Sequence, residues 1–141
     1  MMIKIFYYLI IFLFVSQNNL LAKSKYFEEG MSLYKKNKLE DAKFKFQQDI
    51  VFNPKSELSY LYLSKIFNKQ DEKILEEQNL KTVMLLNPKN EEAIYNLAKL
   101  RLNSSDYAKS KKLNEKLQSI CVNFCDLSNK LKIEIENLSK K

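Results

Sequence analysis

The sequence predicts an all-α fold, a right-handed stack of about three helix–turn–helix repeats followed by a C-terminal capping helix. The tripeptide Asn-Pro-Lys at residues 53–55 recurs at residues 87–89, in a chain that contains only two prolines. Such a period of 34 residues is typical of paired helices that stack into a solenoid. Each proline is expected to end the second helix of its unit, because it lacks an N–H and disfavours helix in the preceding residue. A single glycine in 141 residues favours helix nearly throughout.

Alignment on the prolines divides the chain into units at residues 23–56, 57–90 and 91–124, with the third unit divergent. Small residues recur at one interval of 34, where two helices are expected to cross closely: Gly30, Ser64 and Ala98. The other repeat-defining residues are Ala42, Phe46, Pro54 and Pro88. This pattern resembles the tetratricopeptide repeat family, in its small exported bacterial form, from residue 23 to about residue 124. The resemblance implies a solenoid that binds a protein or peptide along its concave wall.

Two positions depart from the family pattern, and a further helix follows the repeats. Glu76 stands where a small residue is expected, which predicts that the turn near residues 68–71 is shifted by one residue. The third unit has no proline at its corner. Residues 125–141 are predicted to form the capping helix, with Asp126 as its N-cap. Its buried face is expected to comprise apolar residues at helical spacing: Leu127, Leu131, Ile135 and Leu138.

Residues 1–22 have the layout of a secretory signal peptide. Lys4 precedes an unbroken apolar run at residues 5–15, and Ala22 offers a small residue before a cleavage site. A run of eleven is shorter than the roughly 20 residues that span a bilayer. We therefore expect export to the periplasm and cleavage after Ala22. The alternative is an inner-membrane anchor formed by residues 5–15.

Cys121 and Cys125 are the only cysteines, and they flank the corner that lacks its proline. In an oxidising compartment we expect them to form a structural disulfide. The alternatives are two reduced cysteines that fill apolar space and a redox couple, although the spacing is C-x3-C rather than C-x2-C. A zinc site is excluded, because two cysteines in a chain without histidine cannot complete a tetrahedral shell.

The composition argues against catalysis and against nucleic-acid binding. The chain has no histidine and a single glycine, so it lacks the commonest general base and any glycine-rich phosphate loop. Its paired carboxylates are sequence neighbours, which point about 100° apart on a helix. The net charge is +7, but only one of the 24 basic residues is arginine, the residue best suited to bidentate recognition of bases and phosphates. We expect no catalytic activity, no cofactor, no metal and no small-molecule substrate.

The resemblance assigns the binding wall to the first helix of each unit. The corresponding residues are Phe27, Met31, Tyr34 and Lys35 in unit one, Leu61, Lys65, Asn68 and Lys69 in unit two, and Tyr95, Lys99, Leu102 and Asn103 in unit three. Phe27, Leu61 and Tyr95 are expected to form an apolar row. Lys65 and Lys99 would lie beside it and favour an acidic peptide or protein. The alternative function is structural: self-assembly as a homo-oligomer, or an envelope protein held in the membrane by an uncleaved N-terminus.

Overall fold

A computed structural model describes residues 24–140, and within this range the chain forms seven α-helices. They are α1 (Lys25–Lys35), α2 (Leu39–Phe52), α3 (Glu57–Lys69), α4 (Lys73–Leu86), α5 (Glu91–Asn103), α6 (Tyr107–Ile120) and α7 (Cys125–Leu138). Each helix packs on its neighbours in sequence, and α7 contacts both α6 and α5. The all-helical repeat fold with a C-terminal helix is thus confirmed. The predicted signal peptide lies outside the described residues. Among residues 24–140, no helix combines the length and the apolar character that crossing a membrane requires.

The turn inside each helix pair has the same conformation in all three units. Asn37, Asp71 and Ser105 lie 34 residues apart and adopt φ angles of 57°, 56° and 59°. Asparagine and aspartate enter this left-handed region more readily than most residues, because their short polar side chains bond locally. The predicted one-residue shift in the turn of unit two is therefore wrong. Glu76 takes the small-residue position without disturbing the repeat.

Close helix crossing accounts for the single glycine. A Cβ atom added to Gly30 would lie 2.8 Å from the Phe46 ring, well inside van der Waals contact. The equivalent Ser64 and Ala98 are buried in their own units. Ala42 and Phe46 are fully buried, and they join the first of three successive core clusters along the solenoid.

The capping helix buries part of its predicted apolar face. Leu131 and Ile135 are 1% and 4% exposed, and Leu138 packs against the same cluster as a partly buried neighbour. Leu127 remains 38% exposed. The helix begins at Cys125, with Phe124 in the N-cap position and Asp126 in the first turn. The assignment of Asp126 as the N-cap is therefore wrong, although its charge still suits the positive end of the helix dipole.

The corner before α7 is held by two features of the chain. The Sγ atoms of Cys121 and Cys125 lie 2.09 Å apart and their Cα atoms 5.3 Å apart, which is the geometry of a disulfide. In addition, the Glu91 carboxylate accepts the backbone N–H groups of Val122, Asn123 and Phe124 at 2.8–2.9 Å. These donors point away from the helices, so the carboxylate satisfies groups that would otherwise rely on water.

Candidate functional site

A groove of about 540 Å³ runs across the first helices of the repeats. It lies mainly between α3 and α5, with Tyr34 of α1 at one end and Glu76 of α4 in its wall. Seven of the twelve predicted wall residues line it: Tyr34, Lys65, Asn68, Lys69, Tyr95, Lys99 and Asn103. Its remaining lining residues are Ser64, Glu76, Glu92, Asn96 and Leu100.

The predicted apolar row is not a surface feature, because most of it belongs to the core. Phe27, Leu61 and Leu102 are 3%, 4% and 3% exposed, so placing them in the binding wall was wrong. Phe27, for example, packs its ring 5.7 Å from that of Phe46. Of the row, Tyr95 alone lines the groove, with its ring 5.7 Å from that of Phe124.

The two remaining wall residues of unit one lie outside the groove lining. Met31 packs as a partly buried side chain against the first core cluster. Lys35 is exposed in the last turn of α1. Unit one therefore contributes to the groove chiefly through Tyr34.

The lysines of the groove are mostly engaged within the protein. Lys65 forms an ion pair with Glu92 at 2.7 Å and lies over the Tyr62 ring at 4.6 Å. Lys99 contacts both carboxylate oxygens of Glu134, at 2.9 and 3.1 Å. These pairings reduce the positive charge that the sequence predicted for this wall.

Lys69 differs from these two lysines. Its Nζ atom lies 4.7 Å from the centre of the Tyr34 ring, and it forms no ion pair with the residues that the structure describes. A cation over an aromatic face is attracted by the ring quadrupole but keeps its full charge. Lys69 is thus the cation of the groove that remains available for an anionic group of a ligand.

Sequence reasoning missed Glu76 as a residue of the site. Its side chain is 4% exposed, and its carboxylate accepts a hydrogen bond from Asn68 Nδ2 at 3.1 Å. Burial raises the pKa of Glu76 above its ordinary value, with a smaller opposing effect of the Asn68 hydrogen bond. The signal was available, since a glutamate in a small-residue position had to place its carboxylate somewhere. We had interpreted it as a change in the turn.

The groove offers hydrogen bonding rather than reactive chemistry. Asn68, Asn96 and Asn103 present amides, which both donate and accept and so match an extended peptide backbone. Within residues 24–140, no three histidine, cysteine, aspartate or glutamate side chains form a group that could hold a metal ion.

Comparison with known proteins identifies the fold. No protein-family model and no curated protein matches the sequence. Among solved structures, the chaperone SycD of Yersinia enterocolitica type III secretion, in complex with a peptide of the translocator YopD, is 18% identical with a TM-score of 0.72. That match covers 82% of this chain and 90% of the other.

Two further solved structures are similar over nearly the same range. The first tetratricopeptide domain of Spaghetti (RPAP3), bound to the HSP90 peptide SRMEEVD, is 16% identical at a TM-score of 0.72 and covers 81% of this chain and 90% of that one. The TPR2B domain of yeast Sti1, from its pHsp70 complex, is 12% identical at 0.74 and covers 80% and 94%. The chain therefore has the tetratricopeptide repeat fold, as the 34-residue period predicted.

Proposed function

We propose that this protein is a non-catalytic adaptor that binds a protein or peptide in the groove between α3 and α5. The observation that carries the proposal is the lining of this groove, where amides, an aromatic ring at each end and an available lysine converge in about 540 Å³. Similar structures of SycD, Spaghetti and Sti1 were solved in complexes with peptides or client proteins. An extended segment would satisfy the asparagine side chains while its own side chains enter the groove.

The charges of the groove define the ligand further. Lys65 and Lys99 are paired with carboxylates, so the wall does not select for a strongly acidic partner. Lys69 suits a single carboxylate of the ligand, and the buried Glu76 opposes a second carboxylate beside it. We infer a mainly uncharged segment with one acidic group that lies next to Lys69.

We also propose that the adaptor acts in the bacterial cell envelope after export. Two observations support this location: the signal-peptide pattern of residues 1–22, and the Cys121–Cys125 pair at disulfide distance. Paired cysteines persist in oxidising compartments such as the periplasm and are rare in the reducing cytosol.

The experiment that tests the adaptor role is capture of partners from envelope extract by immobilised protein, followed by mass spectrometry. The test variant is Lys69→Ala combined with Asn96→Ala, which removes two groove side chains and leaves the core clusters intact. The matched control is Lys89→Ala combined with Gln78→Ala, at exposed positions outside the groove. We expect a partner that the wild type and the control retain and the groove variant loses.

Two results would contradict this proposal. One is capture that is unaffected by the groove variant. The other is recovery only of further copies of the chain itself, which would favour the structural, self-assembling alternative. Circular dichroism must show equal helix content for both variants, so that loss of folding is not mistaken for loss of binding.

A further inference from the structure

A second groove, of about 530 Å³, lies between α4, α5 and α6 and shares no lining residue with the first. Its walls carry five cations and its floor carries two leucines. The cations are Lys81, Arg101, Lys109, Lys112 and Lys116, and the leucines are Leu97 and Leu113. The single arginine of the chain is among them.

The protein neutralises this groove only in part. Glu77 pairs with Lys81 at 2.6 Å and also with Arg101, and Asp106 pairs with Lys109 at 2.9 Å. Two carboxylates against five cations leave an excess of three positive charges. Binding an anion here would therefore relieve repulsion as well as form new contacts.

Lys112 and Lys116 account for most of the excess. Neither forms an ion pair with residues 24–140, and they lie one turn apart on α6. Like charges at this spacing destabilise a helix by about 0.2–0.5 kcal/mol. The pair is thus an unfavourable arrangement for the isolated chain, and a carboxylate placed between them would turn it into a favourable one.

The floor of the groove adds an apolar requirement. Leu97 is 5% exposed in the second core cluster, and Leu113 packs partly buried against both the second and the third cluster. These side chains are rigidly held and recessed beneath the lysines. A ligand that fills the groove must therefore bring an apolar side chain down to the leucines while its anionic groups reach the rim.

We propose that this second groove binds an acidic peptide segment in which carboxylates flank an apolar side chain. The groove does not suit nucleic acid, because its one arginine already pairs with Glu77 and the lysines cannot supply the bidentate contacts that bases require. Nor does it suit an anionic membrane surface, because its leucines are recessed and cannot insert into lipid. This site is separate from the groove between α3 and α5 and does not depend on the function proposed there.

The test uses a fluorescein-labelled peptide of glutamates alternating with leucine and phenylalanine, measured by fluorescence anisotropy with the full chain. The test variant is Lys112→Glu combined with Lys116→Glu. The matched control is Lys111→Glu combined with Lys130→Glu, which makes the same change in net charge at exposed positions outside the groove. We expect the test variant to weaken binding at least about tenfold and the control less than about threefold.

Replacement of the peptide's glutamates by glutamine should abolish binding, and replacement of its leucine and phenylalanine by serine should weaken it about tenfold. Equal losses in the test and control variants would overturn the proposal, because they would show attraction to net charge alone. Binding of oligo-dT or of phosphatidylglycerol vesicles that is as tight as that of the peptide, and equally sensitive to the test variant, would also overturn it. Circular dichroism of both variants excludes unfolding as the cause.

Discussion

The second and third repeats present the same glutamate position to two different corners. Glu57 and Glu91 are 34 residues apart, each in the first turn of its unit. Glu57 accepts hydrogen bonds from the side-chain amides of Asn87 and Asn90, around the proline corner that follows α4. Glu91 instead accepts three backbone N–H groups of a corner that has no proline and carries the paired cysteines.

The difference shows that the repeat conserves the position of an anchor while the anchored partner changes. A proline corner restricts its own backbone, so the carboxylate can be used on side chains. Where the proline is replaced by Val122, three backbone donors are left, and the carboxylate together with the Cys121–Cys125 link restricts the chain instead. Predictions about the two corners follow, in order of decreasing effect.

The largest effect is expected from loss of the covalent link. Cys121→Ser combined with Cys125→Ser should lower the free energy of unfolding by about 2 kcal/mol, because it releases a short closed loop in the unfolded chain. Urea denaturation followed by circular dichroism measures the change. Reductant should lower the stability of the wild type by a similar amount and leave the double variant unchanged. Identical stability of the oxidised, reduced and variant proteins would contradict the structural role of the link.

A smaller loss is expected from Glu91→Gln, and a still smaller one from Glu57→Gln. Glutamine at residue 91 keeps one acceptor oxygen but removes the charge that three backbone donors share, whereas Asn87 and Asn90 can turn toward water. Urea denaturation of the two single variants ranks them. Combining Glu91→Gln with the serine pair should give a loss that differs from the sum, because both features restrain one corner. A larger cost for Glu57→Gln would reverse the comparison.

The smallest effect concerns Glu76, which has Ser110 as its equivalent in the third unit. Its folded-state pKa is raised by burial, so the native state holds the proton more tightly than the unfolded chain, where the value is near 4.5. The contribution of Glu76 to stability is therefore complete below that value and is lost as the pH rises through the folded-state pKa. Glu76→Gln keeps an acceptor for Asn68 and should be more stable than the wild type at neutral pH.

The measurement for Glu76 is the difference in urea midpoint between the wild type and Glu76→Gln across the acidic range. The difference is needed because the pKa of Glu91 is shifted the other way: its burial raises that pKa, but its three backbone N–H donors lower it further. A variant advantage that stays constant with pH, or that grows toward acid, would contradict the assignment.

The sequence predicted the repeat register because that register is written in spacing. Gly30, Ser64 and Ala98 mark the crossings, and Asn37, Asp71 and Ser105 mark the turns at the same interval. Spacing identifies equivalent positions, but it does not say how deeply each one is covered. Phe27, Leu61 and Tyr95 are equivalent, yet the first two are buried in the core and the third lines the groove.

The charges of the site could not be read from the period. Lys65 meets Glu92 and Lys99 meets Glu134, pairs separated by unequal distances in sequence. Such contacts depend on how one helix pair leans on the next and on the position of the capping helix. For the same reason the sequence did not reveal Glu76 as part of the groove or the cationic groove between α4, α5 and α6.

The most direct test of the adaptor role is amide chemical-shift mapping of the isotope-labelled chain with a peptide from its captured partner. We expect the largest shifts at Lys69, Asn96 and Asn103, on the two helices that form the groove, with little change along the outer face of α2. Shifts confined to other surfaces, with the amides of α3 and α5 unchanged, would contradict the central claim that this groove is the binding site.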